Sequence, residues 1–488
     1  MTETLRVTKF NEVHIRIDCD AGTAYELSEY FTFNVPGARF TPAYKNKMWD
    51  GKIRLFHLMR RTLYHGLLSH VKDFADERGY EIEYENPNDF AETPFNNTQI
   101  DEFIKSLELP LEIRGYQRDA FAHAVRNRRA VLLSPTASGK SLIIYLLAAF
   151  LYKKKVLIIV PTTGLVHQMA SDFVSYGCPE HFIHKIFSGQ EKIDDAVFFI
   201  STWQSIYKLD KSWFKQFGVV MGDEAHQFKA KSLVEIMEKM TDCEYRYGFT
   251  GTLDGSNTNK LVLEGLFGPV EQVTTTKELM DSKSVADLKV KALVLSYEED
   301  LRKAFAKQKT AYKDELQFLM LSQTRSSFLC NLVSSLKNNT LLLFNNISHG
   351  KMLYDTIKKL DPSREVFFVY GGVEGEEREA IRKYVESSQD VIIVASYKTF
   401  STGVNIPSLH NIVFGSPSKS RVRVLQSIGR GLRLSKEKVS ATLYDVADDL
   451  SWKTYKNHTI RHFAERVQMY NQESFEYKIY TIQLKRTT

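Results

Sequence analysis

Residues 130–150 read AVLLSPTASGKSLIIYLLAAF: a short apolar run, a turn-rich loop, then a long apolar stretch of helical length. A buried strand that enters a tight loop and leaves it as a helix presents backbone N–H groups and a helix N-terminus together, and both attract anions. The loop ends in Gly139-Lys140-Ser141 and fits the phosphate-loop pattern, except that Ser134 stands where the pattern has glycine. The backbone N–H groups of Thr136, Ala137, Ser138, Gly139, Lys140 and Ser141 are expected to cradle the β- and γ-phosphates of a nucleotide. Lys140 supplies a point charge and Ser141 a hydroxyl for Mg²⁺. Taken alone, the loop also reads as an ordinary helix start with Ser134 or Thr136 near the cap.

Outward from this loop the texture repeats. KVLIIVP, AVFFIST and FGVVMGDE are apolar runs separated by helix-length segments. Strands without polar alternation, alternating with helices, indicate a parallel sheet covered on both faces. A charged helical bridge, 297–337, precedes a second set: TLLLF, EVFFVYG, DVIIVAS, NIVFGS and ATLYDV. The expected fold class is α/β, with two tandem doubly wound parallel-sheet domains after a small N-terminal α+β domain. The expected boundaries are 1–98, 99–285, 286–450 and, for a C-terminal helix and strand extension, 451–488. Asn86–Gln99, rich in Asn, Pro and Thr, reads as a linker.

Composition excludes other classes. Of 488 residues, 43% are hydrophobic and 25% charged, ordinary for globular protein. No apolar run approaches the ~20 residues of a membrane span. The N-terminus carries charges where a signal peptide is apolar, so a cytoplasmic protein is expected. Cys19, Cys178, Cys243 and Cys330 are scattered singly, which argues against a zinc ribbon, an iron–sulfur cluster or a disulfide framework. They are expected to behave as small core hydrophobes.

A net charge of +6 is modest, but its distribution is uneven. Between Gly37 and Lys72, Asp50 is the sole acid among Arg39, Lys45, Lys47, Lys52, Arg54, Arg60, Arg61 and Lys72. Phe40, Tyr44, Trp49, Phe56 and Tyr64 interleave with them. Such a block predicts a nucleic-acid face, with Lys45, Lys47, Lys52, Arg54, Arg60 and Arg61 as phosphate contacts. Exposed rings there can stack on bases or wedge a junction. The competing reading makes WDGKIRLF a hairpin turning at Asp50-Gly51, and Trp49 is expected in the core.

FGVVMGDEAHQF ends an apolar strand in Asp223-Glu224-Ala225-His226. A carboxylate at a strand's C-terminal end, facing a phosphate loop, can hold Mg²⁺, and a second can polarise the attacking water. Asp223 is assigned the metal role and Glu224 the water.

These residues, in this order, resemble the superfamily 2 helicases and translocases. IRGYQRDA (113–120) resembles the adenine-recognition segment, with Tyr116 and Gln117. IVPTTGLVHQ and FISTWQS resemble motifs that touch the nucleic-acid backbone through Thr162 and Thr202. GFTGTL (248–253) stands where the family has its coupling motif, which implies coupling roles for His226, Thr250 and Thr252. ASYKTFSTGVNIP matches motif V, with Thr402, Gly403 and Asn405, and QSIGRGLR (426–433) matches motif VI. The resemblance spans about Leu111 to Asp449. It implies RecA-like domains, ATP with Mg²⁺, and catalytic roles for Lys140, Asp223, Glu224, Gln426, Arg430 and Arg433. Arg430 and Arg433, three apart on a helix, point the same way and are expected at the γ-phosphate when the domains close.

VHIRIDCD, FTPAYKNKMWDGKIRLF, VLIIVPTTGLVHQMASDFV and FNNISHGKMLYDTIKK further resemble the UvsW family of phage recombination helicases. That implies remodelling of branched or forked DNA in recombination and repair, in the bacterial host cytoplasm. It also implies a monomer without membrane contact, and single-stranded-DNA-binding and recombination proteins as partners. A restriction-type DNA translocase subunit, an RNA-unwinding helicase and an inert nucleic-acid scaffold stay open on the residues alone.

Overall fold

The computed structural model describes residues 3–35, 37–187, 195–253, 256–402, 406, 408–418, 420–432 and 440–484. At 257, 258, 375, 401, 402, 421–423, 430 and 431 it describes the backbone alone. The chain forms two compact units, one of residues 1–134 and 139–273, the other of 274–488 with 135–138.

In the first unit, the N-terminal strands are β1 (Thr4–Lys9) and β2 (His14–Asp18). There follow α1 (Ala21–Tyr30), β3 (Thr32–Asn34), α2 (Pro42–Lys45), β4 (Lys52–Arg54), β5 (Thr62–Tyr64), α3 (Leu68–Arg78) and β6 (Glu81–Tyr84). The described sheet runs β5-β2-β1-β6, antiparallel except where β6 joins β1 in parallel. Leu5, Val7, Ile15 and Ile17 alternate inward and pack with Leu27, Phe31, Val71 and Phe74 of the helices. This is the expected α+β domain, with the expected helix at α3.

WDGKIRLF is not a hairpin turning at Asp50-Gly51. Its Lys52–Arg54 is the return strand of a long hairpin with β3, which leaves residues 35–51 as the connection. Trp49 is half-buried and stands outside the core. Its indole N–H donates to the Lys52 carbonyl at 2.8 Å, which closes the connection locally. An indole needs an acceptor when it leaves water, and the nearby backbone supplies one.

Two helices, α4 (Asn97–Ser106) and α5 (Gly115–Asn127), lead into β7 (Arg129–Leu133) and α6 (Lys140–Phe150). The predicted linker is ordered at its end, where Asn96 and Gln99 cap α4 reciprocally. Then come β8 (Val156–Val160), α7 (Thr163–Ser175), β9 (Ile183–Ile186), β10 (Phe198–Thr202), α8 (Trp203–Ile206) and α9 (Lys211–Phe214). β11 (Val219–Asp223), α10 (Lys231–Lys239), β12 (Tyr245–Thr250), α11 (Asn257–Phe267) and β13 (Val270–Gln272) complete the unit. The described strands pair in parallel in the order β13-β7-β12-β11-β8-β10-β9. Apolar packing covers both faces, which is why these strands read as continuous hydrophobic runs.

The second unit begins with α12 (Thr276–Asp281) and β14 (Asp287–Ser296), followed by the bridge helices α13 (Glu299–Gln308), α14 (Tyr312–Leu321) and α15 (Gln323–Ser335). Its alternating part is β15 (Thr340–Phe344), α16 (Ile347–Leu360), β16 (Val366–Val369), α17 (Gly375–Ser387), β17 (Ile392–Ser396), α18 (Tyr397–Thr402), β18 (Asn411–Phe414), α19 (Arg421–Gly431) and β19 (Ser440–Asp449). It ends in α20 (His458–Gln472) and β20 (Glu476–Gln483). The described order is β16-β17-β15-β18-β19-β14-β20, all parallel.

The C-terminal helix and strand are therefore built into the second sheet and are not appended to it. β20 pairs along β14, and α20 is tied down by buried charge. Arg466 of α20 donates to Asp445 of β19 at 2.8–3.1 Å, and the Tyr470 hydroxyl donates to the same carboxylate at 2.8 Å. The bridge is held likewise: Arg325 donates to both oxygens of Asp448 at 2.8 and 3.0 Å, joined by Tyr297 at 2.8 Å. Burial this complete is tolerated because each carboxylate is matched by a guanidinium and further donors.

Candidate functional site

The loop after β7, the acids after β11 and Thr250 at the end of β12 lie on adjacent parallel strands, in the order β7-β12-β11. All three therefore open at the C-terminal edge of the sheet, where doubly wound folds bind ligands. Thr250 knits them together: its carbonyl accepts from Ser134 N–H at 2.9 Å. Ala137 and Gly139 have positive φ, +71° and +80°. At Gly139 a side chain would also collide, since an added Cβ would sit 2.4 Å from Gln117 Nε2. Gly139 thus packs closely against α5. Gln117 is buried, with Oε1 accepting from Arg114 N–H at 3.0 Å and Nε2 donating to the Gly139 carbonyl at 3.4 Å. Its neighbour Tyr116 accepts from the Arg114 guanidinium at 2.8 Å.

Lys140 and Ser141 open α6. The Ser141 hydroxyl shares a 2.8 Å hydrogen bond with the hydroxyl of Tyr176, just past α7. No local sequence signal marks Tyr176, because the contact joins residues 35 apart, one at the start of α6 and the other just past the end of α7. Asp223 ends β11, and the chain turns sharply after it through Glu224, whose φ of +52° is uncommon for a non-glycine residue. Glu224 N–H donates to Asp223 Oδ1 at 2.9 Å. Burial pushes the Asp223 carboxyl up to about 6, helped by the adjacent Glu224 charge and opposed by Lys140. A desolvated carboxylate that a lysine only partly compensates, next to a second acid, is a site that gains from a divalent cation.

From Glu224 a polar chain leads to Thr250 and Thr252. His226 Nδ1 lies 3.4 Å from Glu224 Oε2 and 3.0 Å from Thr250 Oγ1. Thr250 Oγ1 donates to the Thr252 carbonyl at 2.9 Å, which uses its one proton. Nδ1 of His226 must therefore carry hydrogen and donate to Thr250. Thr252 Oγ1 is buried with no hydrogen-bond partner among the described residues.

The other expected contacts are distributed as follows. Thr162 caps α7, accepting from Leu165 N–H at 3.4 Å, and Thr202 is buried at the end of β10 against Ser205 at 2.9 Å. Both sit at the same sheet edge as the phosphate loop. In the second unit Thr402 ends α18, while Gln426 and Arg430 lie on α19, Gln426 half-buried. Gly403, Asn405 and Arg433 lie outside the described residues.

In the N-terminal block, Lys45, Lys47, Lys52 and Arg60 are exposed, as are Phe40, Tyr44 and Met48. Arg54 pairs with Asp50 on the surface. Arg61 is the most engaged of the six within its own domain. It is half-buried with φ +56°, and its guanidinium donates to the carbonyls of Cys19 and Asp20 at 3.4 and 3.2 Å. It anchors a turn within its own domain. Cys178, Cys243 and Cys330 are buried as expected, whereas Cys19 is half-buried beside Arg61.

Comparison with known proteins agrees with this architecture. Residues 5–85 match the family described as DNA helicase UvsW, N-terminal. Residues 110–255 match Type III restriction enzyme, res subunit, and 324–435 match Helicase conserved C-terminal domain. The ATP-dependent DNA helicase uvsW of Enterobacteria phage T4 is 35% identical over 96% of this chain and 98% of its own length. The crystal structure of T4 UvsW covers 99% of this chain and 100% of its own, at 33% identity and a TM-score of 0.53. The DNA 3'-5' translocase XPB2 of Sulfurisphaera tokodaii is 24% identical over 68% of this chain and 82% of its own. This chain and the phage T4 helicase align from end to end, N-terminal domain included, and the protein belongs to the UvsW family of helicases.

Proposed function

We propose that this protein is an ATP-dependent DNA helicase that remodels branched DNA, by branch migration and fork reversal, in recombination and repair. The observation that carries the reading is the end-to-end kinship with a DNA helicase, together with Lys140, Asp223, Glu224, His226 and Thr250 gathered at one sheet edge. The restriction-type alternative is weaker, because its family matches only 110–255 while the N-terminal domain matches the UvsW family.

The residues give a mechanism. The loop amides and Lys140 hold the phosphates of ATP, and Asp223 with Ser141 fits a Mg²⁺ ion, which when bound neutralises phosphate charge. Glu224 orients the attacking water. His226 stands between Glu224 and Thr250, so a change at the acid reaches the Thr250–Thr252 segment through the 3.4 Å contact of the acid with the imidazole and the imidazole's hydrogen bond to Thr250. Lys45, Lys47 and Lys52 hold the DNA backbone at the N-terminal domain. Contacts to phosphate suit an enzyme that must tolerate every sequence.

The test is ATP hydrolysis by the full chain with single-stranded DNA, duplex, fork, four-way junction and RNA. Forks and junctions are expected to stimulate most, and Lys140→Ala to abolish turnover. Hydrolysis indifferent to all five would overturn the reading. Stimulation by RNA alone would replace it with the RNA-unwinding alternative.

A further inference from the structure

A cleft of about 870 Å³ opens in the first unit between the N-terminal domain and the segment from Lys229 to Val262. Its lining is basic: Arg16, Arg54, Arg60 and Lys229 contribute cations, against Glu238 as the acid. The Glu238 carboxylate is already engaged by the Tyr64 hydroxyl at 2.6 Å. Arg16 and Arg54 hold surface partners, Asp18 and Asp50, in exposed pairs that a phosphate can displace.

What sets this cleft apart from a plain cationic groove is its apolar furniture. Phe10 is 65% exposed and Met59 is 87% exposed, and both line it. Met59 and Arg60 stand at the tip of the turn closed by the His57–Thr62 bridge, and the anchored Arg61 fixes that turn. Behind them His14 stacks on Tyr64 with ring centroids 5.1 Å apart. Large side chains left in water beside cations gain nothing from a duplex, whose bases are stacked inside. They gain from unpaired bases, which offer a π-face to any ring or thioether.

We infer that this cleft binds a single-stranded DNA segment, with its phosphates on Arg16, Arg54, Arg60 and Lys229 and an unpaired base against Phe10 and Met59. The inference rests on the DNA-helicase reading above and names the strand that reading leaves unplaced, the one released when a branch is opened. The cleft wall begins at Lys229, five residues past Glu224, so a strand held there abuts the element that follows the catalytic acids.

The test uses the full chain carrying Phe10→Ala with Met59→Ala, and separately Arg60→Ala; all three side chains are exposed. Binding is read by anisotropy on an oligo-dT strand and on a blunt duplex, with duplex-stimulated ATPase and fork unwinding measured in parallel. The double variant is expected to bind oligo-dT at least tenfold more weakly and to unwind forks correspondingly more slowly. Duplex affinity and duplex-stimulated ATPase should stay within twofold, and Phe10→Tyr should keep single-strand binding. Unchanged oligo-dT affinity overturns the proposal while wild-type fork unwinding leaves the helicase reading intact. Equal loss on duplex overturns the single-strand assignment. A wild type without DNA-stimulated ATPase removes the helicase reading itself.

Discussion

Arg129, at the start of the strand that delivers the phosphate loop, donates to the Glu12 carboxylate at 2.7 Å and to its carbonyl at 2.6 Å. The N-terminal domain is thereby fastened to the base of the ATP-binding strand by a buried ion pair. Nearby, His70 lies 2.9 Å from Glu264. Gly66 approaches the Glu264 carbonyl so closely that a Cβ would lie 1.9 Å from it. These contacts make the domain part of the first unit.

Removing Glu12 leaves Arg129 buried without its carboxylate. Glu12→Ala is expected to cost about 3–5 kcal/mol in urea unfolding of the full chain. Replacing both partners, Glu12→Leu with Arg129→Met, is expected to cost less than the single change. A double variant as unstable as Glu12→Ala would show that packing, and not the stranded charge, dominates.

His226 is the polar link between Glu224 and Thr250. His226→Ala is expected to keep most basal ATP hydrolysis and to lower fork unwinding at least tenfold, because the acid remains while its connection is cut. His226→Asn retains a short donor and should recover part of the unwinding. Parallel loss of ATPase and unwinding in His226→Ala would place the histidine in hydrolysis itself.

Lys45 and Lys47 project from the connection between β3 and β4, both exposed. If each contacts a phosphate, Lys45→Ala with Lys47→Ala lowers the slope of log affinity against log salt by about 1.8 on duplex DNA. Affinity should fall alike for all sequences, since phosphate contacts carry no base information. An unchanged slope takes both lysines out of the interface.

Much of this was legible because parallel strands buried on both faces announce themselves as apolar runs, and because the phosphate loop and Asp223-Glu224 are local in sequence. The edge strand β20 was harder. EYKIYTIQ is mostly exposed, so its pattern gave the strand but not its partner β14, about 190 residues earlier. Arg129–Glu12 and Ser141–Tyr176 carry no sequence signal, since a charge or hydroxyl reads the same with or without a distant partner. Trp49 misled for a related reason: general burial tendency cannot see that Lys52 offers its indole a backbone acceptor at the surface.

His349, near the start of α16, is 5% exposed, and neither ring nitrogen has a hydrogen-bond partner among the described residues. Burial, reinforced by Arg325, lowers it to about 4 from an ordinary 6.5, so the folded protein keeps it neutral. In the unfolded chain it takes up a proton as pH falls through 6.5. Between pH 6.5 and about 4 the unfolded state thus binds more protons, and stability declines as pH falls. The decline due to this one group approaches roughly 3 kcal/mol at the acid end. His349→Leu removes both the titration and the unpartnered nitrogens. Its urea midpoint is expected to vary less with pH across that window than the wild type's, with similar behaviour above pH 7. Because His14 in the first unit is also lowered to about 4, some acid sensitivity should survive in the variant. A pH dependence identical to the wild type's would mean that His349 is already protonated in the folded protein, or titrates alike in both states.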